Sequence, residues 1–106
     1  MGYVYIMTNK SNHVLYIGVT TDLVRRIAEH RDSSGSRFTI KYNCSKLIYY
    51  EVYNEIEDAI HRETQLKGWQ RRWKIDLIEQ VNPKWQDLGV SLCDNPVLRD
   101  SGSSPE

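Results

Sequence analysis

A chain of 106 residues has length for one domain and one hydrophobic core, and its 40% hydrophobic content is that of a globular protein. Its longest strongly apolar runs, such as Leu47-Ile48-Tyr49-Tyr50, are far too short to cross a bilayer, and Met1-Gly2-Tyr3-Val4-Tyr5 has neither a basic region nor a cleavage site of a signal peptide. The formal net charge of 0 excludes a generic nucleic-acid coat protein.

Residues 3–8, β-branched and aromatic, read as a first strand, and 13–18 (His-Val-Leu-Tyr-Ile-Gly) as a second. The polar stretch Asn9-Lys10-Ser11-Asn12 between them predicts a hairpin loop of four residues. That loop pairs Thr8 with His13 and Tyr5 with Tyr16, placing both tyrosines side by side on one sheet face. Thr20-Thr21-Asp22 supplies capping side chains for a helix over about 22–31, in which Leu23, Ile27 and His30 form a stripe and Arg26 and His30 are an i, i+4 pair. Asp32-Ser33-Ser34-Gly35-Ser36 breaks it into a flexible loop. Residues 46–53 are a third strand.

A second helix spans 55–68. Ile56, Ala59, Ile60 and Glu63 share one face, so the hydrophobic stripe runs into a carboxylate before Leu66 resumes it; Gly68 ends the helix, with Trp69 packing nearby. A third helix over 70–80 carries Trp73, Leu77, Ile78 and Val81 until Asn82-Pro83 stops it. The fold class expected is α/β in the broad sense (α+β): a small, three-stranded, mainly antiparallel sheet flanked by helices. The domain is expected to occupy 1–88, with 89–106 a disordered tail.

Charge is unevenly spread. Residues 25–46 hold Arg25, Arg26, Arg31, Arg37, Lys41 and Lys46 against Glu29 and Asp32, and residues 62–74 hold Arg62, Lys67, Arg71, Arg72 and Lys74 against Glu63 alone. Residues 75–106 are acidic. Such asymmetry makes a basic face on a neutral molecule. Cys44 and Cys93 read as reduced thiols of a cytoplasmic protein, and the scattered His13, His30 and His61 offer no zinc spacing.

Together these residues resemble the GIY-YIG nuclease superfamily, especially its small single-domain branch. The likeness covers residues 3–88. It is carried by Tyr3-Val4-Tyr5-Ile6, then Leu15-Tyr16-Ile17-Gly18, Thr21-Asp22-Leu23, Arg25-Arg26 and His30. It resumes at Ala59, Arg62-Glu63, Leu66-Lys67 and Trp69 and ends in Asn82-Pro83-Lys84-Trp85. Tyr3 stands where the superfamily name has glycine, and no lysine lies between Gly18 and Arg26. The resemblance implies Tyr5 and Tyr16 as paired active-site tyrosines, Arg26 as the phosphate-contacting arginine and His30 as the histidine one turn on. Glu63 is implied as the carboxylate binding one divalent ion, Mg2+ or Mn2+, with Asn82 as a less secure addition. It further implies a DNA endonuclease acting in repair or recombination, with structure-selective cleavage, no small organic cofactor and no membrane, and room for a protein partner in target selection.

The chemistry suits these residue types. A guanidinium forks onto phosphate oxygens, one carboxylate holds a magnesium ion completed by water and phosphate, and a tyrosine beside a cation can take a proton from water. The reading takes Tyr5 as base and Tyr16 as positioning residue, with His30 as the alternative base or relay. Gly18, Arg25, Arg31, Arg37 and Lys41, with a second patch of Arg71, Arg72 and Lys74, are the expected nucleic-acid contacts, mostly to backbone. Plainer roles stand beside each of these: structural strand tyrosines, a solvated Arg26–His30 face, a Glu63 salt bridge to Arg26 or Arg62, and Trp69, Trp73 and Trp85 as packing. The competing functions are a non-catalytic nucleic-acid-binding module and a protein-interaction domain.

Overall fold

A computed structural model describes residues 1–31 and 44–89, the side chains of His30 and Arg31 excepted. Three strands, β1 (Gly2–Thr8), β2 (Leu15–Thr20) and β3 (Lys46–Tyr53), form one antiparallel sheet in the order β2-β1-β3. Helix α1 (Leu23–Arg31) follows β2, and α2 (Ile56–Lys67) and α3 (Arg71–Val81) follow β3. The element order and the antiparallel sheet are those expected from the sequence.

Alternation sorts the side chains of β1 onto two faces. Val4 and Ile6 pack with Ile17, Ile48, Ala59, Leu66 and Ile78, so α2 and α3 cover that face. Tyr5 and Met7 pack with Leu23, Ile27, Cys44 and Leu47, so α1 covers the other. The sheet is thus the middle of three layers. β3 carries a bulge: Ile6 pairs with Tyr49 and Met7 with Leu47, leaving Ile48 as the extra residue.

The hairpin register differs from expectation by two residues. Thr8 pairs with Leu15, Met7 with Tyr16 and Tyr5 with Gly18. The cause is Asn9, whose side-chain oxygen accepts the backbone N–H groups of His13 (3.0 Å) and Val14 (3.3 Å). Asn12 closes the turn onto the Asn9 carbonyl at a left-handed φ of 60°, and the Thr8 hydroxyl donates to the Val14 carbonyl at 2.6 Å. His13 and Val14 therefore belong to the loop. A shift of two keeps the parity, so Tyr5 and Tyr16 still share a face, now as diagonal neighbours.

Asp22 caps α1, its Oδ1 accepting the Arg25 N–H at 3.1 Å. Gly68 ends α2 with ordinary right-handed backbone (φ −82°) rather than a left-handed cap. Three side chains placed inward by periodicity are exposed instead: Ile60 (43%), Trp73 (49%) and Val81 (68%). α2 rests on Ile56, Ala59 and Leu66, whose centre lies away from Ile60, and α3 rests on Ile78. Trp73 instead meets the Trp69 ring edge-on at 6.1 Å. Trp85 is in the core, its Nε1 donating to Glu79 at 2.9 Å. Among the described residues no helix is long and apolar enough to cross a membrane.

Candidate active site

Tyr5 is the hub of the site. It lies mid-strand in the central strand with no exposed surface, and its ring extends across the sheet over the partner position on β2. That position is Gly18. A Cβ built there would stand 2.5 Å from the Tyr5 hydroxyl oxygen and 2.6 Å from Cζ, so only glycine leaves room for the ring. The sequence reading of Gly18, close approach of backbone to a ligand, missed this closer occupant. The Tyr16 ring centroid is 6.2 Å from that of Tyr5, with the planes tilted at 44°. Tyr16 is only half-buried, on an edge strand.

Two charged groups act on the Tyr5 hydroxyl from different helices. Burial pushes its pKa well above the usual tyrosine range, and Tyr16 adds to that push. Arg26 of α1, which hydrogen-bonds the hydroxyl, pulls the other way, and Glu63 of α2 contributes the smallest upward push. Tyr5 of β1, Tyr16 of β2 and Arg26 of α1 therefore come together at one phenol, and Glu63, on a helix across the sheet, acts on it through its charge. The helix capped by Asp22 brings Arg26 there, and the α2 stripe of Ile56, Ala59 and Leu66 includes Glu63.

A cleft of about 150 Å³ opens beside Arg26, lined by Thr20, Thr21, Asp22, Arg25, Arg26 and Glu29. Its charges are balanced rather than basic. Glu29 accepts from Arg25 (3.2 Å, i,i+4) and from Arg26 (3.2 Å, i,i+3), holding both arginines along the helix surface. An anion entering this cleft must compete with Glu29 for the two guanidinium groups.

Glu63 is mostly buried, with 17% of its side chain exposed, and it pairs with Lys67 at 3.3 Å rather than with Arg26 or Arg62. Arg62 turns the opposite way, to Glu51 of β3. No group of three or more His, Cys, Asp or Glu that could hold a metal ion exists among the described residues. The donor set on hand is one carboxylate, that of Glu63. Such a set fits a hard divalent ion that keeps its waters and shares a substrate phosphate, and does not fit a preformed protein cage.

The remaining candidates are spread out. The side chains of His30 and Arg31, and all of Arg37 and Lys41, lie outside the described residues, as does Cys93. Arg71 donates to the Asn12 carbonyl of the hairpin loop at 3.3 Å, Arg72 pairs with Asp76 at 3.4 Å, and Lys74 is half-buried. The proposed second phosphate patch thus has two of its three cations engaged within the protein. Asn82 is buried and braces α3 against β3: its Nδ2 donates to the carbonyls of Ile48 and Gln86 at 2.9 Å each, and its Oδ1 accepts from Gln86 N–H at 3.0 Å. Those bonds give Asn82 a bracing role and leave its amide turned to backbone.

Residues 1–76 match the family model described as the GIY-YIG catalytic domain. A UPF0213 protein of Staphylococcus haemolyticus is 36% identical over 78 residues, which are 74% of this chain and 94% of that one. One of Haloquadratum walsbyi is 35% identical over 78 residues, covering 74% and 86%. The solution NMR structure of the UPF0213 protein BH0048 from Bacillus halodurans superposes with a TM-score of 0.53 at 28% identity, over 88% of this chain and 99% of that one.

Proposed function

The chain belongs to the GIY-YIG catalytic-domain family, a nuclease family with a nucleic-acid substrate, and from that premise we propose that it is an endonuclease that hydrolyses DNA phosphodiester bonds with the help of one divalent ion. The observation that carries the reading is the Tyr5 ring seated on Gly18 beside Tyr16, with Arg26 at its hydroxyl and the charge of Glu63 acting on it. A packing role for Tyr5 alone would not call for a guanidinium at its hydroxyl.

In this reading Arg26 exchanges Glu29 for phosphate oxygens and holds the phosphate by a forked hydrogen bond. Glu63 would hold Mg2+ or Mn2+. The bound ion supplies neutralisation of charge at the phosphate and the departing 3′-oxygen. Tyr16, as its phenolate, is the residue that takes the proton from the attacking water. It is reachable from solvent, whereas burial holds the proton on Tyr5. Tyr5 then acts as a neutral phenol that fixes the guanidinium of Arg26. This reverses the roles that the sequence alone assigned to the two tyrosines. We place the reaction in DNA repair or recombination, on structured DNA, in the cytoplasm; the free, buried thiol of Cys44 supports a reducing compartment.

The test compares wild type with Glu63→Ala on duplex, single-stranded, flap and branched DNA, with Mg2+ or Mn2+. Metal-dependent cleavage that is lost in the variant is the expected result. Salt-sensitive DNA binding by both proteins with no cleavage on any substrate would leave the non-catalytic binding module as the function.

A further inference from the structure

On the sheet face opposite Tyr5, a second polar cluster is buried between β3 and α2. Arg62 forks onto Glu51, with Nε 3.0 Å from Oε1 and 3.3 Å from Oε2, and Nη2 3.1 Å from Oε2. Tyr49 and Tyr53 donate their hydroxyls to the same carboxylate at 2.5 and 2.6 Å. Nη1 of Arg62 donates to Gln65 at 2.5 Å, and the guanidinium lies 5.1 Å from the centroid of the Trp69 ring. Only 22% of the Arg62 side chain and 17% of the Glu51 side chain are exposed. All three guanidinium nitrogens of Arg62 and both oxygens of Glu51 thus have a partner, the arrangement in which a buried ion pair sets geometry rather than only offsetting its desolvation.

The position of this cluster on the helix gives it a consequence for the active site. Successive helix residues are offset by about 100°. Taking Ile56, Ala59 and Leu66 as the side that faces the sheet, Arg62 falls on the flank towards β3 and Glu63 within the stripe, between Ile56 and Ala59. Between Ala59 and Leu66, the turn that carries Glu63 buries no apolar side chain, and Ile60 points out. Ala59 and Leu66 hold the helix on either side of this turn, and the Arg62–Glu51 fork adds a directional tie to β3 within it. A rotation that moved Glu63 would lift Arg62 off Glu51.

We propose that the Arg62–Glu51 fork sets the rotation of α2 and thereby the position of the Glu63 carboxylate, making Arg62 and Glu51 positioning residues for the metal-binding group. The proposal rests on the nuclease reading of Glu63. With side chains reaching about 6 Å from the helix axis, a 10° rotation displaces the carboxylate by about 1 Å. A displacement of that size at a reacting centre is worth up to about 100-fold in rate.

The experiment uses Arg62→Met, Glu51→Gln and the conservative Arg62→Lys, with folding checked by circular dichroism. Three readouts are taken: the Glu63 side-chain methylene shifts by NMR in metal-free protein, Mn2+ affinity by water-proton relaxation, and kcat and KM for DNA cleavage. Arg62→Met and Glu51→Gln should move the Glu63 shifts, weaken Mn2+ binding about tenfold and lower kcat by about 10- to 100-fold with KM nearly unchanged. Arg62→Lys, which keeps the charge but not the fork, should fall between them and wild type. Folded variants whose Glu63 shifts stay at wild-type positions overturn the proposal, whether or not the wild type cleaves. Variants that lose thermal stability while kcat and Mn2+ affinity hold also overturn it, reducing the fork to a stabilising contact. A wild type that neither cleaves nor binds Mn2+ sinks the nuclease reading itself, and the positioning role with it.

Discussion

Replacing Gly18 with alanine probes how the site is packed. The new Cβ would sit 2.5 to 3.0 Å from three atoms of the Tyr5 ring, where ordinary contact is about 3.5–4.0 Å, so about 1 Å must open. Tyr5 has no exposed surface into which its ring can swing. Overpacking of this kind costs about 1–3 kcal/mol, offset by about 0.4–1 kcal/mol from the stiffer unfolded chain. The net loss of about 1–2 kcal/mol lowers Tm by about 4–16 °C in a domain of this size. Because the displaced hydroxyl is the one that Arg26 bonds, DNA cleavage should fall in the same variant. Thermal denaturation followed by circular dichroism, alone and in a Tyr5→Phe background, is the assay. The penalty should persist with phenylalanine, since Cζ and Cε2 would still be 2.6 and 3.0 Å away. A Gly18→Ala protein that melts no lower than wild type and cleaves at the wild-type rate would refute the seating of Tyr5 on Gly18.

Three other substitutions carry expected outcomes. Tyr16→Phe should lower kcat by about 10²–10⁴-fold, the range of a general base, whereas Tyr5→Phe should lose less; the reverse order in single-turnover cleavage returns the base to Tyr5. Glu29→Gln should free Arg25 and Arg26, tighten DNA binding and steepen its salt dependence by about one to two phosphate contacts, read from affinity against salt concentration. Burial alone would raise the pKa of Glu51, but the hydrogen bonds from Arg62, Tyr49 and Tyr53 outweigh it and hold the carboxyl below its ordinary 4.5. Its stabilisation is therefore complete above pH 4.5 and is lost as the pH falls through the folded-state value. Melting temperatures below pH 4.5 should drop more steeply for wild type than for Glu51→Gln, and parallel curves would contradict the shift.

Local patterns carried the element order. Aromatic and β-branched runs marked the strands, Asp22 marked the start of α1, and Gly68 and Asn82-Pro83 marked the ends of α2 and α3. The hairpin register escaped because Asn9 captures two backbone N–H groups beyond the apparent turn, a choice invisible to alternation. The bridging by Glu29 was within reach, since its spacings of three and four from the two arginines are ordinary helix neighbours. The role of Gly18 was not, because it depends on which residue faces it across the strand pair. Nor was the Glu51–Arg62 fork, which joins a strand to a helix eleven residues later and needs the relative placement of both. Exposed Trp73 illustrates the same limit: helical periodicity gives a stripe, and only the neighbours decide which part of it is covered.

The burial of Tyr5 separates two kinds of residue that a motif lists as equals. Tyr5 belongs to the same apolar cluster as Met7, Leu23, Ile27 and Leu47, and Gly18 shapes the space it fills. A descendant that had abandoned cleavage would still need both in order to fold. Their persistence in a relative is therefore a record of architecture. Arg26, with 40% of its side chain exposed, and Glu63, a charge set into an apolar stripe, are under no such obligation. In any set of relatives, those two positions are where the loss of chemistry would first be written.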